Sequence, residues 1–175
     1  LTILFTSTMT VRRQERDGFC RREMMIGLLA VAAAAAAAPR ARAATTERVV
    51  ADRFTGLAID GMDPVAYFTE GRAVPGRADL EASVAGAVWR FCNDDNRAFF
   101  LAHPEIYGPQ FGGYDPVDVA RGVTVAGRPQ VWLVAGQRLY LFARIESRDA
   151  FATDPAAVLR EARARWPHLR DALAQ

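Results

Sequence analysis

The stretch that decides the fold is VWLVAGQRLYLFA, residues 131–143. Its two apolar runs, 131–134 and 139–143, are joined by four residues that include Gly136. β-Branched and aromatic residues on both sides of a short glycine-containing turn predict a β-hairpin. Because both runs are apolar throughout and do not alternate with polar residues, we expect both faces of this hairpin to be covered.

The segment 154–173 is predicted to be the helix that covers the hairpin. Asp154 and Pro155 favour a helix start, because the carboxylate accepts from unpaired backbone N–H groups and proline gives up a donor that has no partner there. One apolar face follows at helical spacing: Val158, Ala162, Trp166 and Leu169. Pro167 should kink or end the helix at Trp166. The hairpin and the helix together predict an α+β domain, a small antiparallel sheet with short helices and a C-terminal helix packed on it.

Three further elements are predicted upstream of the hairpin. A short helix should begin at Asp63 and stop at Gly71. Residues 82–92 predict one or two strands of a second hairpin. Residues 94–101, with acidic residues in the first turn, predict another short helix.

The pattern Gly-x-Asp-Pro-Val occurs twice, at residues 61–65 and 113–117. We interpret it as one helix-capping device used twice, with Asp63 and Asp115 as the caps. A match over five residues is too short to indicate an internal duplication.

The charge of the chain differs between its two ends. Residues 1–43 contain seven arginines and three acidic residues, whereas residues 44–175 contain 15 arginines and 17 acidic residues. The larger part is therefore slightly acidic and has no basic stripe, so it lacks the positive surface that binding to a phosphate backbone requires. We expect no nucleic-acid partner.

The first part of the chain has the order of a signal peptide. Arg21 and Arg22 precede an uncharged run at 24–38, and the small residues Ala41 and Ala43 follow as a cleavage site. The run has 15 residues, whereas a membrane-spanning helix needs about 20, so we expect no permanent membrane anchor. The residues around the arginine pair, CRREMM, are similar to a twin-arginine export motif.

These signals divide the chain into a leader at 1–43, a linker at 44–55 and a domain at 56–173. They predict a protein that is periplasmic or secreted after cleavage. The alternative is an alanine-rich leader that is not cleaved and stays in the cytoplasm.

Four blocks of the sequence resemble the exported YHS-domain proteins. In chain order they are GLAIDGMDPVAYFTEG at 56–71, VWRFCNDDNRAFFLAHPEIYGPQFGGY at 88–114, GQRLYLF at 136–142 and RWPHL at 165–169. The resemblance implies a small α+β domain that is often associated with metal and has no generally established reaction.

The cysteines of that family are mostly missing from this chain. The resemblance places family cysteines at Ala66, Cys92, Asn96 and Asp115, so one sulfur of four remains. Copper(I) and zinc gain affinity from several converging thiolate or imidazole ligands, and one thiol does not make such a site. We therefore expect no cofactor, with a divalent or copper ion as the alternative.

Each candidate site residue has two interpretations. Asp63, Cys92 and Asp115 are the candidate metal ligands, with His103 as a distant fourth. The competing interpretation, which we favour, makes the two aspartates helix caps and Cys92 a small buried apolar side chain. The candidate pocket residues are Asp63, Tyr67, Tyr107, Phe111 and Tyr114, because tyrosines beside glycine-rich loops combine an apolar wall with a hydroxyl. They could equally be core residues.

Three functions remain open. The first is a non-catalytic binding or accessory module with a small-ligand or protein partner. The second is a metal-binding protein that uses the three residues above. The third is a thiol-based enzyme or redox protein that uses Cys92, although the nearby Asp94 and Asp95 would disfavour its thiolate. The sequence contains no catalytic motif such as Gly-x-Ser-x-Gly or His-Glu-x-x-His, so we favour the first function and expect no enzyme.

Overall fold

The computed structural model describes residues 49–173. The predicted leader, with Arg21, Arg22, Ala41 and Ala43, lies outside these residues, as does the first part of the predicted linker. Within the described range, no helix has both the length and the apolar character needed to span a membrane.

The helices are α1 (Ala66–Thr69), α2 (Asp94–Ala102), α3 (Pro104–Tyr107), α4 (Pro116–Ala120), α5 (Ile145–Thr153) and α6 (Pro155–Ala172). The strands are β1 (Arg77–Val84), β2 (Ala87–Phe91), β3 (Arg128–Ala135) and β4 (Arg138–Phe142). Short 3-10 turns at Ile59–Gly61 and Gln110–Gly113 precede α1 and α4. This order confirms the predicted α+β class.

Both predicted hairpins are confirmed. Strand β1 pairs with β2 and β3 pairs with β4, both antiparallel, and the described residues form two separate two-stranded sheets. The first strand of each pair contains a register shift near its start. A β-bulge of this kind bends the strand and increases its twist.

The second hairpin is covered on both faces, as its apolar sequence predicts. Tyr140 and Phe142 pack on one face against Phe151 of α5. Leu139 and Leu141 point to the other face and belong to the larger core cluster of the domain. The nearest cover is thus α5, while α6 reaches this core mainly through two residues of its first turns, Val158 and Leu159.

Helix α5 is not among the predicted elements. Its first residue follows Arg144, which provides no side-chain cap, so the usual start signal is missing. Within α5, Ser147 and Phe151 are the buried residues, spaced by one helical turn. A nine-residue helix with so narrow a buried stripe has little periodicity to detect.

Helix α6 continues through Pro167 to Ala172, so of the two predicted effects of Pro167, a kink or an end at Trp166, the end does not occur. Proline removes the hydrogen bond that its amide would donate to the carbonyl of Arg163. Both residues are exposed, so solvent can satisfy that carbonyl. The predicted apolar face is correct, since Ala162 is fully buried.

The segment just before the predicted domain also packs on it. The amide of Val50 donates to the carbonyl of Gly112 at 2.7 Å, and Ala51 forms an isolated bridge with Ala58. Val49 and Ala51 contact the core. The packed part of the chain therefore includes residues 49–51, which the sequence predicts as linker, whereas residues 52–55 are exposed.

The most informative feature of the fold is that one structural unit occurs twice. We call residues 57–103 the first half and residues 109–154 the second half. Strands β1 and β2 and helix α2 of the first half recur as β3, β4 and α5, each starting 51 residues later. Each half also contains a 3-10 turn, an Asp-Pro pair and a short helix before its hairpin.

The same contacts recur in both halves. The amide of Gly76 donates to Gly61 at 2.9 Å in the first half, and the amide of Gly127 donates to Gly113 at 2.9 Å in the second. The aromatic contacts also correspond: Phe91–Phe100 at 5.3 Å with Phe142–Phe151 at 5.4 Å, and Trp89–Phe100 at 4.8 Å with Tyr140–Phe151 at 4.9 Å. The five-residue pattern in the sequence is thus the visible part of a much longer structural repeat.

The halves differ on the outer faces of their hairpins. Glu81 and Arg90 face each other in the first hairpin and form an ion pair at 2.9 Å. Trp132 and Leu141 occupy the corresponding positions in the second hairpin. The apolar pair packs against the core of the first half, whereas the charged pair stays at the surface, so only the second hairpin is covered on both faces.

Candidate functional site

The carboxylate of Asp63 lies at the centre of the first half and is fully buried. Its Oδ1 accepts from the amides of Val65 at 2.8 Å and Ala66 at 3.3 Å, at the start of α1. Its Oδ2 accepts from the amide of Cys92 at 2.9 Å and from Nδ2 of Asn96 at 2.7 Å. Asp63 therefore binds the amides at the start of α1 and also holds the end of β2.

Asp115 has the same role in the second half and is also fully buried. Its Oδ1 accepts from the amide of Val117 at 2.9 Å and its Oδ2 from the amide of Ala143 at 2.9 Å. The predicted capping role is confirmed for Asp115, which is the N-cap residue of α4. The N-cap position of α1 is Val65, and Asp63 accepts from the amides of this residue and the next. The contact to the residue after the second strand is an addition that the local sequence pattern does not reveal.

Cys92 is half-buried among polar groups, so its interpretation as a buried apolar side chain is wrong. Its Sγ lies 3.3 Å from the side-chain Nδ2 atoms of both Asn93 and Asn96, and 4.0 Å from Oε1 of Glu70. Burial, followed by the hydrogen bond and charge of Asp63 and the charge of Glu70, raises the pKa of the thiol to about 11. At neutral pH the thiol is protonated and is a weak nucleophile and a weak ligand.

The proposed metal ligands do not come together. Cys92 lies beside Asp63 in the first half, whereas Asp115 lies beside Ala143 in the second. His103 is exposed, with its Nδ1 3.5 Å from Oε1 of Glu105. Within residues 49–173, no three or more histidine, cysteine or acidic side chains are grouped so that they could hold a metal ion. The residues present do not fit the metal centre that the family resemblance implies.

The candidate aromatic residues are also separated. Tyr67 is buried, its hydroxyl donates to the carbonyl of Pro129 at 3.0 Å, and burial raises its pKa. Tyr107 packs edge-on against Phe68 at 5.3 Å. These two tyrosines therefore serve packing within the core.

Phe111 and Tyr114 lie together against a different residue, Trp166 of α6, at 5.8 and 6.0 Å. Tyr114 also lines a wide cleft of about 800 Å³ beside residues 49–53. The four predicted pocket aromatics thus do not form one site, since Tyr67 and Tyr107 lie apart from the pair Phe111 and Tyr114.

A smaller cleft of about 260 Å³ lies where β1, α3, the 3-10 turn at Gln110–Gly113 and α6 meet. Among the described residues its aromatic wall consists of Trp89, Phe100 and Trp166, and its polar residues are Glu105, Gln110 and Arg170. Because these residues come from distant segments, no local motif could have indicated the cleft. An apolar concavity with a few polar groups is the usual form of a small-ligand site.

No protein-family model, curated protein sequence or solved structure matches this chain. The YHS resemblance therefore stays a prediction.

Proposed function

We propose that this chain is an exported YHS-like protein, periplasmic or secreted, that acts as a non-catalytic binding or accessory module. The observation that carries the proposal is that the carboxylates of Asp63 and Asp115 are taken up by hydrogen bonds within the protein. Both oxygens of each buried carboxylate accept hydrogen bonds from the protein's own backbone amides. Lone pairs committed in this way support the fold and are poorly placed to serve a metal or a substrate.

The state of Cys92 supports the same function. A thiol with a pKa of about 11 has a very small thiolate fraction at neutral pH. Thiol catalysis and soft-metal ligation both need the thiolate. The environment of Cys92 thus disfavours the two competing functions.

The cleft lined by Trp89, Phe100 and Trp166 is the place that we propose for the ligand. It adjoins both halves of the structural repeat, and ligand sites often lie at such junctions. Native mass spectrometry of the protein purified from its own periplasm should detect a bound small molecule. Val84→Phe, which enlarges a side chain of the cleft lining, should abolish that binding.

Elemental analysis of the same sample separates this function from metal binding. We expect no stoichiometric copper or zinc, and a Tm that a chelator does not change. The matched control is the double variant Ala66→Cys/Asn96→Cys, since both positions adjoin the Asp63–Cys92 contact. The proposal is supported if the double variant, with its thiols reduced, takes up metal and the wild type does not. Stoichiometric metal in the wild type, with a Tm that falls on chelation, contradicts it.

A further inference from the structure

Two buried side-chain atoms of residues 49–173 have no hydrogen-bond partner: Oδ2 of Asp118 and Oγ of Ser147. Asp118 is 5% exposed and Ser147 is 3% exposed. Buried polar groups in folded proteins are nearly always paired, because an unpaired one loses its solvation without compensation. Two such atoms in one domain therefore indicate a missing partner.

Both atoms belong to one region of the second half. Arg144, the residue just before α5, donates to Oδ1 of Asp118 at 2.9 Å. This bond holds Asp118 of α4 near the first turn of α5, where Ser147 is the third residue. The start of α5 has no side-chain cap, whereas Asn93 caps the corresponding start of α2.

The structural repeat shows which side chain stands at the position of Ser147 in the first half. Ser147 lies 51 residues after Asn96, at the same position of the repeated helix. The carboxamide of Asn96 donates to Asp63 at 2.7 Å and contacts the sulfur of Cys92 at 3.3 Å. Serine has no carboxamide, so its hydroxyl ends one bond closer to the backbone and cannot reproduce both contacts of Asn96.

The charges around the two unpaired atoms determine which class of molecule can bind between them. Asp118 and the nearby Asp115 disfavour an anion, while Arg121 and Arg144, together with the positive end of α5, disfavour a cation. The bound molecule must donate a hydrogen bond to the carboxylate of Asp118 and form another with the hydroxyl of Ser147. A neutral molecule that both donates and accepts meets these conditions, and water is the smallest one.

We propose that the second half binds one internal water molecule between Asp118 and Ser147, the counterpart of Asn96. The water donates to Oδ2 of Asp118 and pairs with Oγ of Ser147. This site is separate from the ligand cleft and does not depend on the proposed function.

A high-resolution crystal structure of the full chain tests the site directly. We expect a water peak within hydrogen-bond distance of both orphaned atoms. The proposal is overturned if no peak is present there, if an ion occupies the place, or if Ser147 donates directly to Asp118.

Ser147→Ala gives an independent test, because the two alternatives predict different changes in Tm. If the hydroxyl is paired with a bound water, its removal should lower the Tm by about 4 °C. If the hydroxyl is truly unpaired, alanine removes a buried polar group and the Tm should rise or stay unchanged, which overturns the proposal. Ser83→Ala, at an exposed position of β1, is the matched control and should leave the Tm unchanged.

Discussion

The backbone amide of Cys92 donates a hydrogen bond of 2.9 Å to Oδ2 of Asp63. The bond joins the residue after a hairpin to the residue that starts a helix nearly 30 positions earlier, and an equal bond joins Ala143 to Asp115. Each carboxylate thus closes one copy of the repeated unit. A buried charged acceptor with several amide donors is among the stronger polar contacts in proteins.

Two equivalent glycines should be intolerant of any side chain. A Cβ at Gly76 would lie 2.5 Å from the carbonyl carbon of Arg90, and a Cβ at Gly127 would lie 2.6 Å from Cβ of Leu141. We expect Gly76→Ala and Gly127→Ala each to lower the free energy of unfolding by about 3 kcal/mol or more, measured by urea denaturation.

Gly71→Ala is the control for this pair. Gly71 has a φ of +63°, but a Cβ added there would meet no atom of a more distant residue within 4 Å, so the cost is conformational alone. It should be about 1 kcal/mol. Equal losses at all three glycines would show that close strand contact does not decide the effect.

The thiol of Cys92 should react slowly in the folded protein. Its pKa of about 11 compares with about 8.5 for a free cysteine, so the thiolate fraction near neutral pH is at least about 100-fold smaller. Alkylation of folded protein at pH 7.5 should therefore be about 100-fold slower than alkylation in denaturant. Comparable alkylation rates in the folded and denatured states would contradict the raised pKa of Cys92.

The same pKa predicts a loss of stability at alkaline pH. The folded state keeps the Cys92 proton to about pH 11, whereas the unfolded state loses it near about pH 8.5. Because the folded state binds more protons in this interval, its stability falls as the pH rises. Thermal melts from pH 7 to 11 should show this fall in the wild type and a smaller fall in Cys92→Ala. Parallel curves for the two proteins would contradict the prediction.

A hydrogen bond between the halves should contribute measurably to stability. The buried hydroxyl of Tyr67 in the first half donates to the carbonyl of Pro129 in the second at 3.0 Å. Tyr67→Phe leaves that carbonyl without its donor and should cost about 1–2 kcal/mol in urea denaturation. Tyr107→Phe, at a half-buried tyrosine of α3, should change stability by less than about 0.5 kcal/mol. A smaller loss for Tyr67→Phe than for this control would count against the bond.

The sequence predicts the local elements well because their signals are local. Asp63 and Asp115 precede prolines at helix starts, and the apolar runs of β3 and β4 flank a glycine turn. Helix α5 lacks a capping side chain, so nothing in its sequence marks its start.

The repeat and the site depend on contacts between distant residues, and these leave weaker traces. Equivalent positions carry different chemical classes: Cys92 matches Ala143, Asn96 matches Ser147, and the ion pair Glu81–Arg90 matches Trp132 and Leu141. Glycines, the Asp-Pro pairs and core aromatics are what the halves share, which is too little for the sequence pattern to reveal a repeat. Only part of the polar surroundings of Cys92 is local in sequence, namely Asn93 and Asn96. Asp63 and Glu70 are remote from it in sequence, so their contribution escapes sequence-based prediction for the same reason.

The central claim is that Asp63 and Asp115 serve the fold rather than a ligand. Its most direct test is the free energy of unfolding of Asp63→Asn and Asp115→Asn, measured in urea with and without chelator, against Asp171→Asn at an exposed position of α6. We expect losses of about 2–4 kcal/mol for the two buried sites, larger for Asp63, a loss below about 0.5 kcal/mol for Asp171, and no effect of chelator. Full stability in Asp63→Asn and Asp115→Asn, or a wild type that loses as much stability to chelator as to either substitution, would contradict this account.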